Sequence, residues 1–304
     1  MNIAILSRGP GNYSTKRLIE EAAMRGHSVE VIDHARCFAT IEKNNPIIGY
    51  EGRDLNNFDA IIPRIGYSYT RYGSSIVRQF EMRGVYTTVS SIALVRARDK
   101  LRSMQLLARA GVGIPKTVFS RGMAPNVDDV IEDLGGLPVI IKLARGTHGR
   151  GVVLAETKKA AKSVLQAFYV MEEDGTNILL QEFIKESAGV DIRVFIVGGK
   201  VVASMKRQSL DDDFRSNLHQ GGEGTPIKLT AEERKTAQKA AKAMGLSICG
   251  VDLMRSSRGP LVLEVNASPG FGVEKVTNRN VAAKIIEHLE QNAKKSPRKD
   301  RVGA

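Results

Sequence analysis

The sequence has no tryptophan, two cysteines and few aromatic residues, and each shortage excludes a class of protein. Cys37 and Cys249 alone provide neither a disulfide framework nor a cysteine-based metal motif. Aromatic residues make up 5% of the chain, too few for the base-stacking platforms of single-stranded nucleic-acid binding. No apolar run is long enough for a signal peptide or a membrane span. These absences favour a globular, cytoplasmic protein that contacts no membrane and whose function does not require direct binding to nucleic acid.

Positive charge, by contrast, is abundant. The 304 residues include 45 Lys and Arg against 33 Asp and Glu, which gives a net charge of +12. Such an excess fits an anionic partner, such as nucleic acid, a ribosomal surface, nucleotide phosphates or an acidic peptide, or only a basic solvated surface. The length suits two or three domains.

The chain opens with alternating strand and helix patterns. A strand-like run, a helical pattern over 13–26 and a second run form a βαβ unit, for which Ser14 is the expected N-cap and Gly26 the helix end. Two further strand-like runs follow before residue 90. Residues 1–95 are therefore predicted to form a small open α/β domain, and a single helix is expected next, over 93–111.

A glycine-rich segment, ARGTHGRG, lies between two Val- and Ile-rich runs. It is not a P-loop, because Gly-Lys-Ser/Thr is missing and a strand follows the glycines. We predict a β-hairpin whose tip, 145–151, is a mobile lid. Gly146, Gly149 and Gly151 would let backbone N–H groups approach phosphate oxygens. Lys142 on the preceding strand could lie beside a phosphate, although an exposed strand lysine is the alternative.

The segment GVDLMRSSRGPLVLEVNASPG, residues 250–270, places polar side chains in two apolar runs. A hairpin with its turn centred on Arg258 sets Asp252 opposite Glu264, and strand alternation puts Asn266 on the face of Glu264. Facing carboxylates destabilise a sheet unless a cation joins them. Carboxylate and amide oxygens are ligands that Mg²⁺ or Mn²⁺ prefers. The alternative is a solvent-exposed face with salt-bridge partners.

The remaining C-terminal part contains a hairpin, a polar loop and two helices. The loop covers 211–224, and an amphipathic helix follows over 230–245, with Thr230 and Glu233 as a capping box. A last helix is expected near 279–293.

The order of these parts resembles the ATP-grasp superfamily: a strand lysine, a glycine lid, a QEFI strand, a D-x-R strand, and an Asp followed by E-x-N-x-x-P-G. The segments IPRIG, ARDKLRSMQLLA, DIRVFIVG and DFRSNLHQGG resemble more narrowly the RimK-type α-L-glutamate ligases, over residues 1 to 290. The implied fold class is α/β (α+β), an ATP-grasp fold with an N-terminal open α/β pre-ATP-grasp domain. Its implied divisions are a pre-ATP-grasp domain at 1–95, a central subdomain with the lid at 96–186, a C-terminal subdomain with the metal site at 187–295, and a basic tail at 296–304.

The resemblance also implies a role for each matching residue. It assigns the metal ions, two Mg²⁺ or Mn²⁺, to Asp252, Glu264 and Asn266; the ATP phosphates to Lys100, Lys142 and the lid glycines; the adenine hinge to Glu182 and Phe183; a nucleotide contact to Asp191; and phosphate and reaction-centre contacts to Arg215 and Asn217, which with Lys142 would be catalytic.

The implied reaction is ATP-dependent ligation of L-glutamate, through an acyl phosphate, to the C-terminus of an acidic acceptor, ribosomal small-subunit protein six in the family, by an enzyme that often forms tetramers. We expect cationic acceptor contacts around the loop at Arg193, Lys206, Arg207, Arg215 and His219. Gln208 and the acidic run 211–213 depart from the family pattern. Because they lie where the acceptor is expected to bind, they bear on the identity of the acceptor more than on the ligation chemistry. The alternatives are a small-molecule ligase on the same scaffold and a non-catalytic ATP-binding regulatory protein.

Overall fold

The computed structural model describes residues 1–121, 126–143, 151–170, 177–210, 214 and 222–293. Within these ranges, strands and helices form an N-terminal unit, a central sheet and a C-terminal sheet. No helix in the described ranges has the length and apolar character needed to cross a membrane.

The N-terminal unit is built on a parallel sheet of strand order β2-β1-β6-β7. Its elements are β1 (Asn2–Leu6), α1 (Tyr13–Met24), β2 (Ser28–Ile32), β6 (Ala60–Pro63), α2 (Thr70–Met82) and β7 (Tyr86–Thr87). The predicted βαβ unit is confirmed. The N-cap prediction is wrong, since Asn12 precedes α1 and Ser14 is buried within its first turn. Gly26 follows the helix with a φ of +75°, as its role as terminator requires.

Sequence patterns did not predict a small antiparallel sheet inserted between β2 and β6. It contains β3 (Phe38–Thr40), β4 (Ile47–Tyr50) and β5 (Arg53–Asp54). Its strands have only two to four residues, too few for a period of two to emerge from the sequence.

The single helix expected over 93–111 is instead two helices, α3 (Ser91–Arg98) and α4 (Lys100–Arg109). Asp99 between them has extended backbone angles, and its side chain accepts a hydrogen bond from the backbone N–H of Arg102 at 2.9 Å. Aspartate is a strong N-cap, so the helical pattern is interrupted and restarted at this residue. The break makes Lys100 the first residue of α4.

The central sheet is antiparallel, with strand order β10-β9-β11-β8. It consists of β8 (Thr117–Arg121), β9 (Val139–Leu143), β10 (Val152–Ala155) and β11 (Asn177–Glu182), and it packs against α5 (Val127–Asp133) and α6 (Lys158–Val170). The predicted hairpin is confirmed in its strands, where Lys142 pairs with Val152. Most of its tip, 144–150, lies outside the described residues.

The C-terminal sheet is also antiparallel, with strand order β14-β13-β12-β15-β16. Its elements are β12 (Val190–Val197), β13 (Lys200–Gln208), β14 (Glu223–Pro226), β15 (Ile248–Ser256) and β16 (Gly259–Asn266), with helices α7 (Ala231–Met244), α8 (Gly272–Thr277) and α9 (Val281–Ala293). The predicted capping box is present at the start of α7.

Two hydrophobic cores join the N-terminal unit to the C-terminal sheet, and a third belongs to the central sheet. The first contains Leu6 of β1, Leu107 of α4 and Val251 of β15, whereas the third contains Ile141 and Leu165. Because α4 packs in the same core as the N-terminal unit and the C-terminal sheet, it holds Lys100 against the C-terminal sheet. The predicted domain boundaries stay predictions.

Candidate active site

The hairpin of β15 and β16 carries the three predicted metal ligands. Asp252 pairs with Glu264, as predicted, but the turn is not centred on Arg258. Ser256 pairs with Gly259, so the turn consists of Ser257 and Arg258, and a register shift next to Asp252 restores the pairing with Glu264. A β-bulge of this kind redirects side chains and is frequent beside active sites.

Asp252 is buried and is held by two arginines. It is 2% exposed. Arg193 donates to it through Nε at 2.6 Å and through Nη2 at 2.5 Å, and Nη2 of Arg207 lies 2.8 Å from Oδ2. Burial raises the pKa of this carboxyl, but the charges of Arg193 and Arg207 outweigh burial and hold the pKa well below its usual range. Asp252 is therefore ionised at neutral pH.

The network continues from Arg207 to Asp191. Arg207 donates to both carboxylate oxygens of Asp191, at 2.6 and 2.5 Å, and the two residues are 3% and 6% exposed. Sheet register explains the grouping, because Asp191 pairs with Arg207 and Arg193 pairs with Asp252 on neighbouring strands. The expectation that Arg207 is an accessible acceptor contact is wrong: its guanidinium is enclosed between two buried carboxylates. The Asp191 carboxylate is likewise committed to Arg207.

Glu264 and Asn266 lie at the edge of this network. The Asn266 side-chain amide donates to Oε1 of Glu264 at 2.8 Å, and Glu264 keeps about half of its side chain exposed (51%). Arg193 Nη2 is 3.9 Å from the same oxygen and thus lies between Asp252 and Glu264. The alternative prediction was a solvent-exposed face with salt-bridge partners. Asp252 does have salt-bridge partners, Arg193 and Arg207, but it is buried and not exposed to solvent.

The donor set fits a hard divalent cation. It offers an ionised carboxylate, a half-exposed carboxylate and an amide oxygen, all oxygen donors of the kind Mg²⁺ prefers. Within the described residues no group of three or more His, Cys, Asp and Glu side chains could hold a metal ion, and this set has two carboxylates and one amide.

Lys100 and Lys142 lie close enough to Glu264 for its charge to affect the pKa of both lysines. The Lys142 ammonium donates to Gln181 Oε1 at 2.6 Å, and that of Lys100 donates to the Leu143 carbonyl at 3.0 Å. Burial lowers the pKa of Lys142 to about 8; Glu264 raises it and Lys100 lowers it further. Burial also lowers the pKa of Lys100, against an opposing effect of Glu264. The structure thus brings both predicted phosphate lysines together with the predicted metal ligands.

At the predicted adenine hinge, the Glu182 carboxylate is occupied within the protein. Its Oε1 accepts from the backbone N–H of Lys116 at 2.5 Å and from Arg258 Nη2 at 2.5 Å. A nucleotide contact at this position would therefore come from the backbone of Glu182 and from Phe183, which is half-buried.

Of the predicted lid glycines, Gly151 lies within the described residues. Its φ is +70°, and a Cβ there would lie 2.8 Å from the Leu143 side chain. A larger residue at 151 would therefore strain the hairpin itself. Gly146, Gly149, Arg215, Asn217 and His219 lie outside the described residues.

Sequence patterns assigned no role to Arg64 and Arg98, although the structure brings both to this region. Arg64 donates to the Pro269 carbonyl at 2.8 Å, just beyond Asn266, and Glu264 raises the pKa of Arg98 against the larger, lowering effect of burial. Both residues stand in segments that resemble the RimK-type ligases, Arg64 in IPRIG and Arg98 in ARDKLRSMQLLA, but no local pattern indicated that the two would meet.

Comparison with known proteins places the chain in one family. A family model described as RimK-like ATP-grasp domain matches residues 97–289, and one described as RimK PreATP-grasp domain matches residues 1–94. A "Probable alpha-L-glutamate ligase" of Hydrogenovibrio crunogenus is 57% identical over 295 residues, 97% of each chain. Proteins of the same description from Nitrosococcus oceani and Vibrio cholerae are 56% and 55% identical, over 96% of each chain.

Solved structures show the same fold at low sequence identity. A RimK domain ATP-grasp protein from Sphaerobacter thermophilus has a TM-score of 0.72 at 19% identity, with 95% of this chain and 99% of that one covered. The ATP-grasp ligase PsnB, solved with a minimal precursor, Mg and ADP, has a TM-score of 0.72 at 19% identity, with 96% and 98% covered. The predicted fold class and family are confirmed. The chain belongs to the RimK family of ATP-grasp ligases, ATP-dependent enzymes that form carbon–nitrogen bonds.

Proposed function

We propose that this chain is a cytoplasmic enzyme that ligates L-glutamate to the C-terminus of an acidic protein acceptor, a ribosomal small-subunit protein, through an acyl phosphate. The observation that carries the proposal is the convergence of Lys100, Lys142, Asp252 and Asn266 around Glu264. This arrangement suits a triphosphate held by cations on one side and by a carboxylate-bound metal on the other. The glutamate specificity is supported by relatives more than 50% identical that are described as probable alpha-L-glutamate ligases.

The proposed reaction has two steps. The γ-phosphoryl group of ATP is transferred to the acceptor carboxylate, which gives ADP and an acyl phosphate. The α-amine of glutamate then attacks the acyl carbon, the bond to phosphate breaks, and the amine loses a proton as the amide forms. The reacting groups are anionic, so positive charge must be concentrated where they meet.

The chain's own residues would divide this work. Lys100 and Lys142 would hold phosphate oxygens, and Arg215 and Asn217 would contact the transferred phosphoryl group. Asp252, Glu264 and Asn266 would hold Mg²⁺ or Mn²⁺, two ions in our proposal. When bound, the metal supplies positive charge to the phosphates.

The protein framework would provide the rest. Glu182 and Phe183 would hold adenine, and the lid at 145–151 would exclude water from the acyl phosphate. Asp191 would still be the nucleotide contact that the resemblance implies, and its carboxylate, which accepts two hydrogen bonds from Arg207, would also position that arginine against Asp252. Homotetramer formation and the divisions at 1–95, 96–186, 187–295 and 296–304 remain part of the proposal.

Intact mass spectrometry of acceptors tests this function. Candidate ribosomal proteins are incubated with the enzyme, ATP, Mg²⁺ and L-glutamate, and we expect mass increases in steps of one glutamate residue. Glu264→Gln enzyme serves as the inactive control. ADP release without any mass increase, or a preference for small-molecule acceptors, would contradict the proposal.

A further inference from the structure

Arg64 lies at the junction between the N-terminal unit and the loop that follows the metal hairpin. It directly follows β6, at the carboxyl edge of the parallel sheet, where open α/β sheets bind their ligands. Its Nη2 donates to Ser14 Oγ at 3.0 Å and to the Pro269 carbonyl at 2.8 Å, and its guanidinium carbon is 5.1 Å from the centre of the Phe271 ring. These contacts hold the guanidinium beside the loop that begins at Asn266.

Arg98 approaches the same junction from the end of α3. Its Nη2 donates to the carbonyl of Ile65, the neighbour of Arg64, at 2.7 Å. Its Nε is buried and, within the described residues, has no hydrogen-bond partner. The hydroxyl of Ser268, the neighbour of Pro269, is likewise buried without a partner among the described residues. Buried polar atoms normally have partners, so these two orphaned groups are available, among the described residues, to bind a polar ligand.

The charges at this junction are unbalanced. Other partly enclosed arginines of the chain, such as Arg17 and Arg83, are paired with carboxylates. By contrast, no carboxylate of the described residues lies within ion-pair distance (4.0 Å) of Arg64 or Arg98, and their partners are neutral oxygens. Burial lowers the pKa of Arg64 to about 10, and the nearby charge of Arg98 contributes to this. Two arginines that reinforce each other's positive field form a site for an anion.

We propose that Arg64 and Arg98, with the Ser268 hydroxyl, form a subsite that binds a carboxylate of the anionic substrate. The first candidate for that substrate is the incoming glutamate. A planar guanidinium matches a carboxylate with two parallel hydrogen bonds, whereas the phosphate side of the site already has Lys100 and Lys142. The two sets of cations lie on different elements, and the charge of Glu264 acts on a member of each set, Arg98 and Lys142. The inference rests on the proposed function, because it takes the second substrate to be an acidic amino acid or an acidic peptide end.

Calorimetry on the full chain with Mg²⁺ and a non-hydrolysable ATP analogue tests the subsite. We expect Arg98→Gln to raise the Kd of L-glutamate about tenfold or more, the loss typical of one charged hydrogen-bonding partner, while the Kd of the nucleotide analogue changes less than about twofold. Arg98→Lys keeps the positive charge but loses the planar guanidinium with its two parallel hydrogen bonds. Its Kd for L-glutamate should lie between those of the wild type and Arg98→Gln. Arg78→Gln, at an exposed arginine of α2, is the matched control and should bind both ligands normally.

Each further outcome decides the proposal. If the variant weakens an acidic C-terminal peptide but not free glutamate, the subsite is supported and belongs to the acceptor carboxylate. If nucleotide binding weakens equally, or neither carboxylate ligand is affected, the subsite is wrong. Should Arg98→Gln fail to fold, Ser268→Ala removes the second orphaned group without changing the charge and should raise the same Kd several-fold.

A separate measurement keeps the two proposals apart. Glutamate-dependent ADP release by the wild-type enzyme tests the ligase function without any variant. If that release is absent but Arg98→Gln still loses carboxylate binding, the ligase proposal fails and the subsite stands. If the wild-type protein binds neither glutamate nor acidic peptide, the subsite is overturned as well.

Discussion

Asp252 is the residue whose surroundings most change the interpretation of this site. Sequence patterns left open whether a metal or salt-bridge partners would stabilise it. In the structure two arginines hold its carboxylate, and the network Asp191–Arg207–Asp252–Arg193 alternates in charge across three strands. The carboxylate is thereby kept ionised and oriented, as a metal ligand must be.

Arg207→Ala should destabilise the protein strongly. It leaves Asp191 and Asp252 buried near each other without their shared cation, and breaking a buried pair in this way costs about 3–5 kcal/mol. Chemical denaturation measures the loss. Arg258→Ala removes a more exposed pair with Glu182 and should cost about 1 kcal/mol or less. Unchanged stability with a raised acceptor KM would instead support the sequence-based interpretation of Arg207 as an accessible contact.

Glu264→Gln should abolish ligation and weaken Mn²⁺ binding while the protein stays folded. Glu264 is half-exposed and lies outside the buried network, so its loss removes a metal ligand without opening the core. Relief of repulsion from Asp252 would predict a higher Tm without metal. Because its neighbours include Arg193, Lys100 and Lys142, we expect the Tm to stay constant or fall slightly. Activity measurements and metal titration check the assignment, and wild-type turnover would falsify it.

Lys142 should make ATP affinity depend on pH. Its pKa of about 8 in the free protein is below the ordinary 10.5, and a bound phosphate would raise it. ATP then prefers the protonated lysine, so the Kd should be flat below pH 7 and increase about tenfold by pH 9. Lys142→Arg stays charged and should flatten the profile. A flat wild-type profile would show that this ammonium does not contact the phosphates.

At the scale of elements, two local irregularities position the site. The β-bulge beside Asp252 offsets the two-residue turn and restores the pairing with Glu264. The break at Asp99 divides one helical pattern into α3 and α4 and places Arg98 and Lys100 at adjoining helix ends. Without either feature the site residues would face different directions.

Asp99→Ala should weaken ATP binding as well as stability. The lost N-cap costs about 1 kcal/mol, and a continuous helix would turn Lys100 away from Leu143. Ser90→Ala is the matched control, because Ser90 caps α3 through Ala93. It should lower the Tm similarly and leave the ATP Kd unchanged. Equal effects of the two variants on ATP binding would mean that the break at Asp99 does not position Lys100.

At the scale of the whole molecule, charge and core organisation have separate consequences. Two shared cores join the N-terminal unit to the C-terminal sheet, so the junction of Arg64 and Arg98 belongs to one packed body. The central sheet, with Lys142 and the hinge strand β11, has its own core. The net charge of +12 extends over this arrangement and should attract anionic acceptors.

The acceptor KM should therefore rise several-fold with salt, and the ATP KM should rise less. Exposed charges are screened beyond about 30 Å at 0.01 M salt but beyond about 8 Å at 0.15 M, whereas the lysines near Glu264 are partly buried. Initial rates against acceptor concentration at three salt levels measure both constants. An acceptor KM that is flat across salt would favour a small-molecule acceptor.

The sequence by itself determined much of the fold and the identity of the candidate ligands. Period-two and helical patterns, the glycine at the end of α1 and the capping box of α7 are local signals, and they predicted most elements; the short strands β3 to β5 and the division of the helix over 93–111 were missed. The facing of Asp252 and Glu264 was predicted, but from a turn centred on Arg258; the two-residue turn and the β-bulge that together produce the pairing were not predicted.

Only the tertiary structure decided which groups those residues meet. The pairing of Arg207 with Asp191 and Asp252, and the approach of Arg64 and Arg98 to the loop after Asn266, join segments more than 15 residues apart, and no local pattern encodes such contacts. The signal for the break was Asp99 itself, an N-cap residue. Because aspartate also occurs inside helices, the helical periodicity on both sides of Asp99 predicted one continuous helix. Burial then set the charge balance, since desolvation lowers the pKa of Lys142 and two arginines lower that of Asp252. Strand register and burial, which exist only in the folded chain, convert these separate residues into one site.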